Sequence, residues 1–83
     1  MKHADDKTLD AIEPILLHLR RLDGIREKKR GVFYRKSLAF LHFHDDPGGI
    51  FADLRGDTGW RRYRVSTRAE RQRFLQLMKT LLH

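Results

Sequence analysis

Two hydrophobic periods divide this chain. From residue 7 to residue 22 the apolar side chains recur at helical spacing. Leu9, Ile12, Leu16 and Leu19, with Ile15 and Leu22 beside them, share one side of a 3.6-residue wheel, and Asp10, Glu13, Arg20 and Arg21 take the other. The pattern predicts an amphipathic helix. Pro14 removes a backbone donor and crowds the preceding turn, yet it projects from the polar side. Either the helix kinks there, or regular helix begins near Pro14 and residues 7–13 form a looser turn. Asp23 and Gly24 supply a stop. The next residues, IREKKRG (25–31), read as a solvated basic connection, with a phosphate-contacting loop as the functional alternative.

From Val32 to Val65 the period becomes two. VFYR, LAFLHFH, IFADLR and WRRYRV are short runs of aromatic and branched residues separated by KS, DDPGG and GDTG, all turn chemistry. Four antiparallel strands joined as a meander follow. Thr67 with Glu70 three residues on forms a capping box. Beyond it, Phe74, Leu77, Met78 and Leu81 make one apolar face, opposite Arg68, Gln72, Gln76 and Lys79, and predict a second amphipathic helix. The expected fold is α+β: a two-layer sandwich in which N- and C-terminal helices cover one face of a four-stranded antiparallel meander. Residues 1–83 form a single domain, with about residues 1–6 frayed.

Simple pairing across hairpins this short sets Phe33 opposite Phe40, His42 opposite Ala52, Phe40 opposite Leu54 and Ala52 opposite Tyr63. The helix-facing side then carries Phe33, Leu38, Phe40, Ile50, Ala52, Leu54, Tyr63 and Val65. The other side carries Val32, Tyr34, Leu41, Phe43, Phe51 and Trp60 interleaved with Asp53, Arg55, Arg62 and Arg64.

Charge gives that second face a meaning. The chain has 18 lysines and arginines against 11 acidic residues, a net +7, and residues 1–19 hold −2 of it, which leaves +9 for the rest. Such a balance attracts polyanions, although it serves equally as a solubilising surface. Aromatics among arginines on a sheet can stack unpaired bases and neutralise phosphates. Tyr34, Phe43, Arg55, Trp60, Arg62 and Arg64 are therefore the candidate contacts for nucleic acid. The same apolar face equally suits a homodimer or partner-protein interface.

His42 and His44 in FLHFHDDPGG raise the question of a metal. Both fall on one face of their strand, Asp46 follows in the turn, and the stretch partly overlaps the HxHxDH pattern of metallo-hydrolases, with Pro47 where the last histidine belongs. The remaining histidines are His3 and His83 at the ends and His18 on the first helix, and a stable site needs three or four converging ligands. The favoured reading is a strand and its turn with no metal; coordination by His42, His44 and Asp46 is the alternative. The acidic residues Asp5, Asp6, Asp10 and Glu13 are read as complementing the helix dipole rather than gathering cations.

Ser37 and Ser66 lie far in sequence from any histidine, no glycine-rich loop leads into a helix, and Asp45 and Asp46 sit in a hydrated turn. The chain is read as a non-catalytic binding module without a cofactor. With no cysteine, packing alone stabilises it. The absence of a signal-like or membrane-length apolar run gives a cytoplasmic location as the expectation.

The run GVFYRKSLAFLHFHDDPGGIFADLR, followed by WRRYRV and a capped helix, resembles a group of small bacterial proteins of unknown function related to the YjbR-like and YdhG-like proteins, over about residues 10–82. The resemblance implies a helix, a four-stranded antiparallel sheet and a second helix in a plan similar to frataxin. It also implies DNA binding, proposed for YjbR-like members, or iron handling by the frataxin analogy, and it brings no catalytic set. The strongly basic charge departs from the frataxin idea.

Overall fold

A computed structural model describes residues 2–82, and the side chains of residues 4–82. The chain order is β1 (Lys2–His3), α1 (Asp6–Ala11), α2 (Glu13–Arg20), β2 (Arg26–Lys29), β3 (Val32–Arg35), β4 (Leu38–Asp46), β5 (Gly49–Gly56), β6 (Gly59–Arg64) and α3 (Arg68–Leu81). The fold is α+β. Strands β2 to β6 form an antiparallel meander in sequence order, and β1 pairs with the far end of β4. The four expected strands are present as β3 to β6, and two further strands join them. The basic segment after Gly24 is an edge strand, and Lys2 and His3, expected to be frayed, pair with Asp45 and His44.

Strand β2 contains no apolar residue, which is why its period was not visible. Lysine and arginine on an edge discourage pairing with a second sheet. Glu27, the inward residue of β2, takes two hydrogen bonds from Arg20 of α2 and one from the Gly31 amide.

The N-terminal apolar stripe is broken in two. Pro14 occupies the first turn of α2, where its missing N–H has no partner to lose, and Ile12 leaves helical geometry between the helices. Asp5 caps α1 by accepting from the Thr8 amide at 2.9 Å. Asp6, Asp10 and Glu13 gather around Arg30 at 3.4, 2.7 and 2.9 Å, and Glu13 also meets Arg20 at 2.7 Å. The acidic cluster thus clamps α1 and α2 to the β2–β3 turn.

At the other end, Thr67 and Glu70 form the anticipated capping box of α3. One core joins Leu9, Ile12, Ile15, Leu16 and Leu19 of the N-terminal helices to Phe74 and Met78 of α3. Its floor is Phe33, Leu41, Phe43, Ala52, Leu54 and Val65. All three helices therefore lie on one face of the sheet. Among the described residues, no helix is long and apolar enough to cross a membrane.

Among the four expected strands the register departs from simple pairing on both sides of β4, at a bulge against β3 and by a one-residue offset against β5. Lys36 and Ser37 adopt left-handed φ values of 51° and 70°, forming the two-residue hairpin that the sequence suggests. Tyr34 then pairs with Ala39, but Phe33 pairs with Leu41, so Phe40 is an extra residue in a bulge. Phe40 and Leu41 are both buried as a result. Beyond the bulge every residue of β4 is turned over. Leu41 pairs with Leu54, His42 with Asp53, Phe43 with Ala52 and His44 with Phe51, and only the Ala52–Tyr63 pair is as expected.

Candidate functional site

Directly paired residues share a face of the sheet, so the helix-free side can be read row by row. One row runs Val32, His42, Asp53, Arg62; the next runs His44, Phe51, Arg64. Toward the other end lie Arg26, Tyr34 and Ala39, then Arg55 paired with Trp60. Tyr34, Arg55, Trp60, Arg62 and Arg64 of the expected contacts are therefore on one face. Phe43 is not. It is 2% exposed and packs in the helix-facing core, as does Leu41, because the bulge at Phe40 reverses the alternation. Their places on the open face are taken by His42 and His44.

Cations lie over the rings of this face. The Arg55 guanidinium is 4.6 Å from the Trp60 centroid, Arg62 is 5.3 Å from Phe51, and Lys28 is 5.1 Å from Tyr34. Arg55 is fixed by donating from Nε to the Ala39 carbonyl at 2.6 Å, and among the described residues no carboxylate forms an ion pair with it. Arg64 is turned toward the end of the sheet. It donates to the Gly48 carbonyl and to Glu70, tying β6 to the start of α3. Trp60 is 44% exposed, and its ring stands 4.6 Å from that of His42.

The centre of the face is polar and partly enclosed. Nδ1 of His42 lies 2.7 Å from Nε2 of His44, and the same Nε2 lies 3.0 Å from Oδ2 of Asp53. Arg62 grips Asp53 from the far side with two hydrogen bonds, Nε to Oδ1 at 2.9 Å and Nη2 to Oδ2 at 3.1 Å. Burial alone would raise the Asp53 carboxyl, yet the hydrogen bond and charge of Arg62, with the imidazoles adding to them, hold it below its ordinary value. Asp53 is thus an anion fixed beside two rings.

Donor atoms of His42, His44 and Asp53 all fall within 4.8 Å of one another. The aspartate expected in that group, Asp46, is not in it. Asp46 accepts from the Gly48 amide in the turn and stands 3.8 Å from Arg62. His18 is exposed on α2, and His83 and the His3 side chain lie outside what the structure describes. Simple pairing sets His42 opposite Ala52 and so keeps Asp53 apart from the histidines, whereas in the structure His42 pairs with Asp53. The run Leu41, His42, Phe43, His44 nevertheless alternates apolar with polar, the one signal that would have turned the imidazoles outward.

An open groove of about 1150 Å³ lies elsewhere, between α3 and the β5–β6 hairpin. Its floor includes Leu38, Phe40, Leu54, Tyr63, Leu77 and Leu81, and Arg35, Arg55 and Arg61 stand around it. It brings together no set of titratable groups comparable to the histidine cluster.

No protein-family model, no curated protein and no solved structure matches this chain. The functional reading rests on the geometry of the open face.

Proposed function

We propose that this protein is a non-catalytic module that binds single-stranded nucleic acid across the helix-free face of its sheet. The observation that carries the reading is the arrangement of that face. Tyr34, His42, Phe51 and Trp60 are distributed over four adjacent strands, with Arg26, Lys28, Arg55 and Arg62 among them. Planar rings and guanidinium groups stack unpaired bases of any sequence, while cations at the same level meet the phosphates. A net charge of +7 brings the polyanion to the surface. The competing use of this face, as a homodimer contact, is supported less well. Leu41 and Phe43 point into the core, and imidazoles and a carboxylate stand in the middle of the face.

Fluorescence anisotropy with a labelled single-stranded oligonucleotide of roughly 12 nucleotides, long enough to span the face, tests the proposal. If Arg26, Lys28, Arg55 and one further cation meet phosphates, log affinity falls with log salt at a slope of about −3. Binding then weakens about 50-fold between ~50 and ~200 mM salt. Trp60→Ala removes one stacking ring and weakens binding by about 5- to 150-fold. No binding at ~50 mM salt with ~100 μM protein, the weak end of non-specific affinities, would overturn the proposal. So would a Trp60→Ala variant with unchanged affinity. A two-fold mass by light scattering without oligonucleotide, abolished by Trp60→Ala, would assign the face to self-association instead.

A further inference from the structure

We infer that His42, His44 and Asp53 form a binding site for one divalent first-row transition-metal ion on the open face of the sheet. Two imidazoles and one carboxylate are a donor set suited to zinc, cobalt, nickel or copper rather than to magnesium or calcium, which prefer all-oxygen shells. The backbone arranges that set. His42 and His44, two residues apart on β4, share a face, and Asp53 is the direct partner of His42 on β5. Both are interior strands of the meander, so the ligands stand on the most rigid part of the fold.

The contacts are close to coordination geometry. Ligands of a tetrahedral zinc ion at about 2.0–2.1 Å are separated from one another by about 3.3 Å. The His42–His44 and His44–Asp53 separations are 2.7 and 3.0 Å and all three donor atoms lie within 4.8 Å of one another, so side-chain adjustment without backbone movement would bring them to that spacing. Two protonated nitrogens would not approach to 2.7 Å. At least one of the ring nitrogens facing each other therefore presents a lone pair, and the carboxylate presents another. Three donor atoms converge where at most one proton is shared, and a metal ion can take the place of that proton.

The surroundings complete the site. His44 and Asp53 are nearly covered, with side chains 11% and 13% exposed, so water competes weakly for them. Arg62 holds both Asp53 oxygens, the orienting role that partners of metal-bound carboxylates play. Its positive charge also opposes a cation, and with a single anionic ligand the affinity belongs to the moderate, exchangeable range. His42 is only half-buried, which leaves the outer coordination positions to water or to a ligand atom arriving from the face.

The site carries its own reporter, because Trp60 is the chain's only tryptophan and its ring is 4.6 Å from that of His42. The experiment uses the full untagged chain without oligonucleotide, so that it is decided separately from the nucleic-acid proposal. Copper(II) or cobalt(II) is titrated against Trp60 fluorescence, and zinc(II) is followed by calorimetry. The expected result is one equivalent bound, with strong quenching by the paramagnetic ions. His42→Ala, at the half-buried position that tolerates substitution, weakens binding at least about ten-fold, Asp53→Asn does likewise, and His18→Ala leaves it unchanged. Circular dichroism confirms that each variant is folded. Absence of zinc binding to the wild-type chain at ~100 μM would overturn the inference and leave the three side chains as a hydrogen-bonded network. Binding that survives His42→Ala, or that His18→Ala removes, would overturn it equally.

Discussion

Replacing Phe43 asks whether the bulge at Phe40 is real, because the two registers put this ring on opposite sides of the sheet. In the structure Phe43 is 2% exposed and faces Ala52 within the core that the helices cover. Deleting a ring from such a place costs about 3–5 kcal/mol, the lost transfer energy plus the cavity left behind. An 83-residue domain has a total stability of about 4–12 kcal/mol. Phe43→Ala therefore removes at least a quarter of the stability, and at the low end leaves the chain unfolded. Phe43→Leu keeps most of the volume and costs about 1–1.5 kcal/mol, a fall in Tm of about 4–10 °C. Urea denaturation followed by far-ultraviolet circular dichroism measures both variants, with Phe51→Ala, half-buried on the open face, as the comparison. The expected order of cost is Phe43→Ala, then Phe43→Leu and Phe51→Ala at similar smaller values. If Phe43→Ala costs less than about 0.5 kcal/mol, as an exposed position does, the register is wrong and the histidine cluster falls with it.

Two further perturbations probe the scaffold. Gly31 sits in the β2–β3 turn at φ +80°, and an added Cβ would stand 2.7 Å from Cδ2 of Leu9. Gly31→Ala should cost about 1–3 kcal/mol or more by denaturation. Gly59→Ala, with φ +122° and nothing near, should show backbone strain alone and cost less. Acid should destabilise the fold through its carboxylates. Hydrogen bonds from Arg30 and Arg20 hold Glu13 below its ordinary 4.5; burial would raise Glu27, but Arg20 and the Gly31 amide outweigh it. A carboxylate with a depressed folded-state pKa contributes fully above its ordinary value and loses that contribution as pH falls through the folded value. Tm should accordingly be steady above pH 4.5 as far as these groups are concerned and fall below it. A Tm unchanged down to pH ~3 would show that the ion pairs around Arg20 and Arg30 contribute nothing.

Much of the scaffold was legible because its signals are local. The Thr67–Glu70 box and the Lys36–Ser37 hairpin each specify their element within a few residues and are found in place, and the stripe from Leu9 to Leu19 is helical but split in two at Ile12. What escaped is set by partners distant in sequence. The edge strand Arg26–Lys29 has no apolar pattern because charged residues protect an edge, and it is a strand only because β3 is beside it. The bulge has no composition mark either. Phe40 and Leu41 can both be buried only where the helices above have room for two adjacent apolar side chains, a fact of packing. That single extra residue exchanged Leu41 and Phe43 for His42 and His44 on the open face. The β4–β5 register, one residue from simple pairing, puts Asp53 rather than Asp46 in the company of the histidines. The arginines and Trp60 of β6 were placed correctly because the β5–β6 hairpin carries no such shift.

Chemical-shift mapping of the nitrogen-15-labelled protein with a single-stranded oligonucleotide at low salt tests the central claim most directly. The account predicts perturbations confined to the helix-free face, largest at the Trp60 indole and the backbone amides of Tyr34, His42, Phe51 and Arg62, with α1, α2 and the outer side of α3 unmoved. Shifts centred on the helices, or no shifts at all, would contradict it.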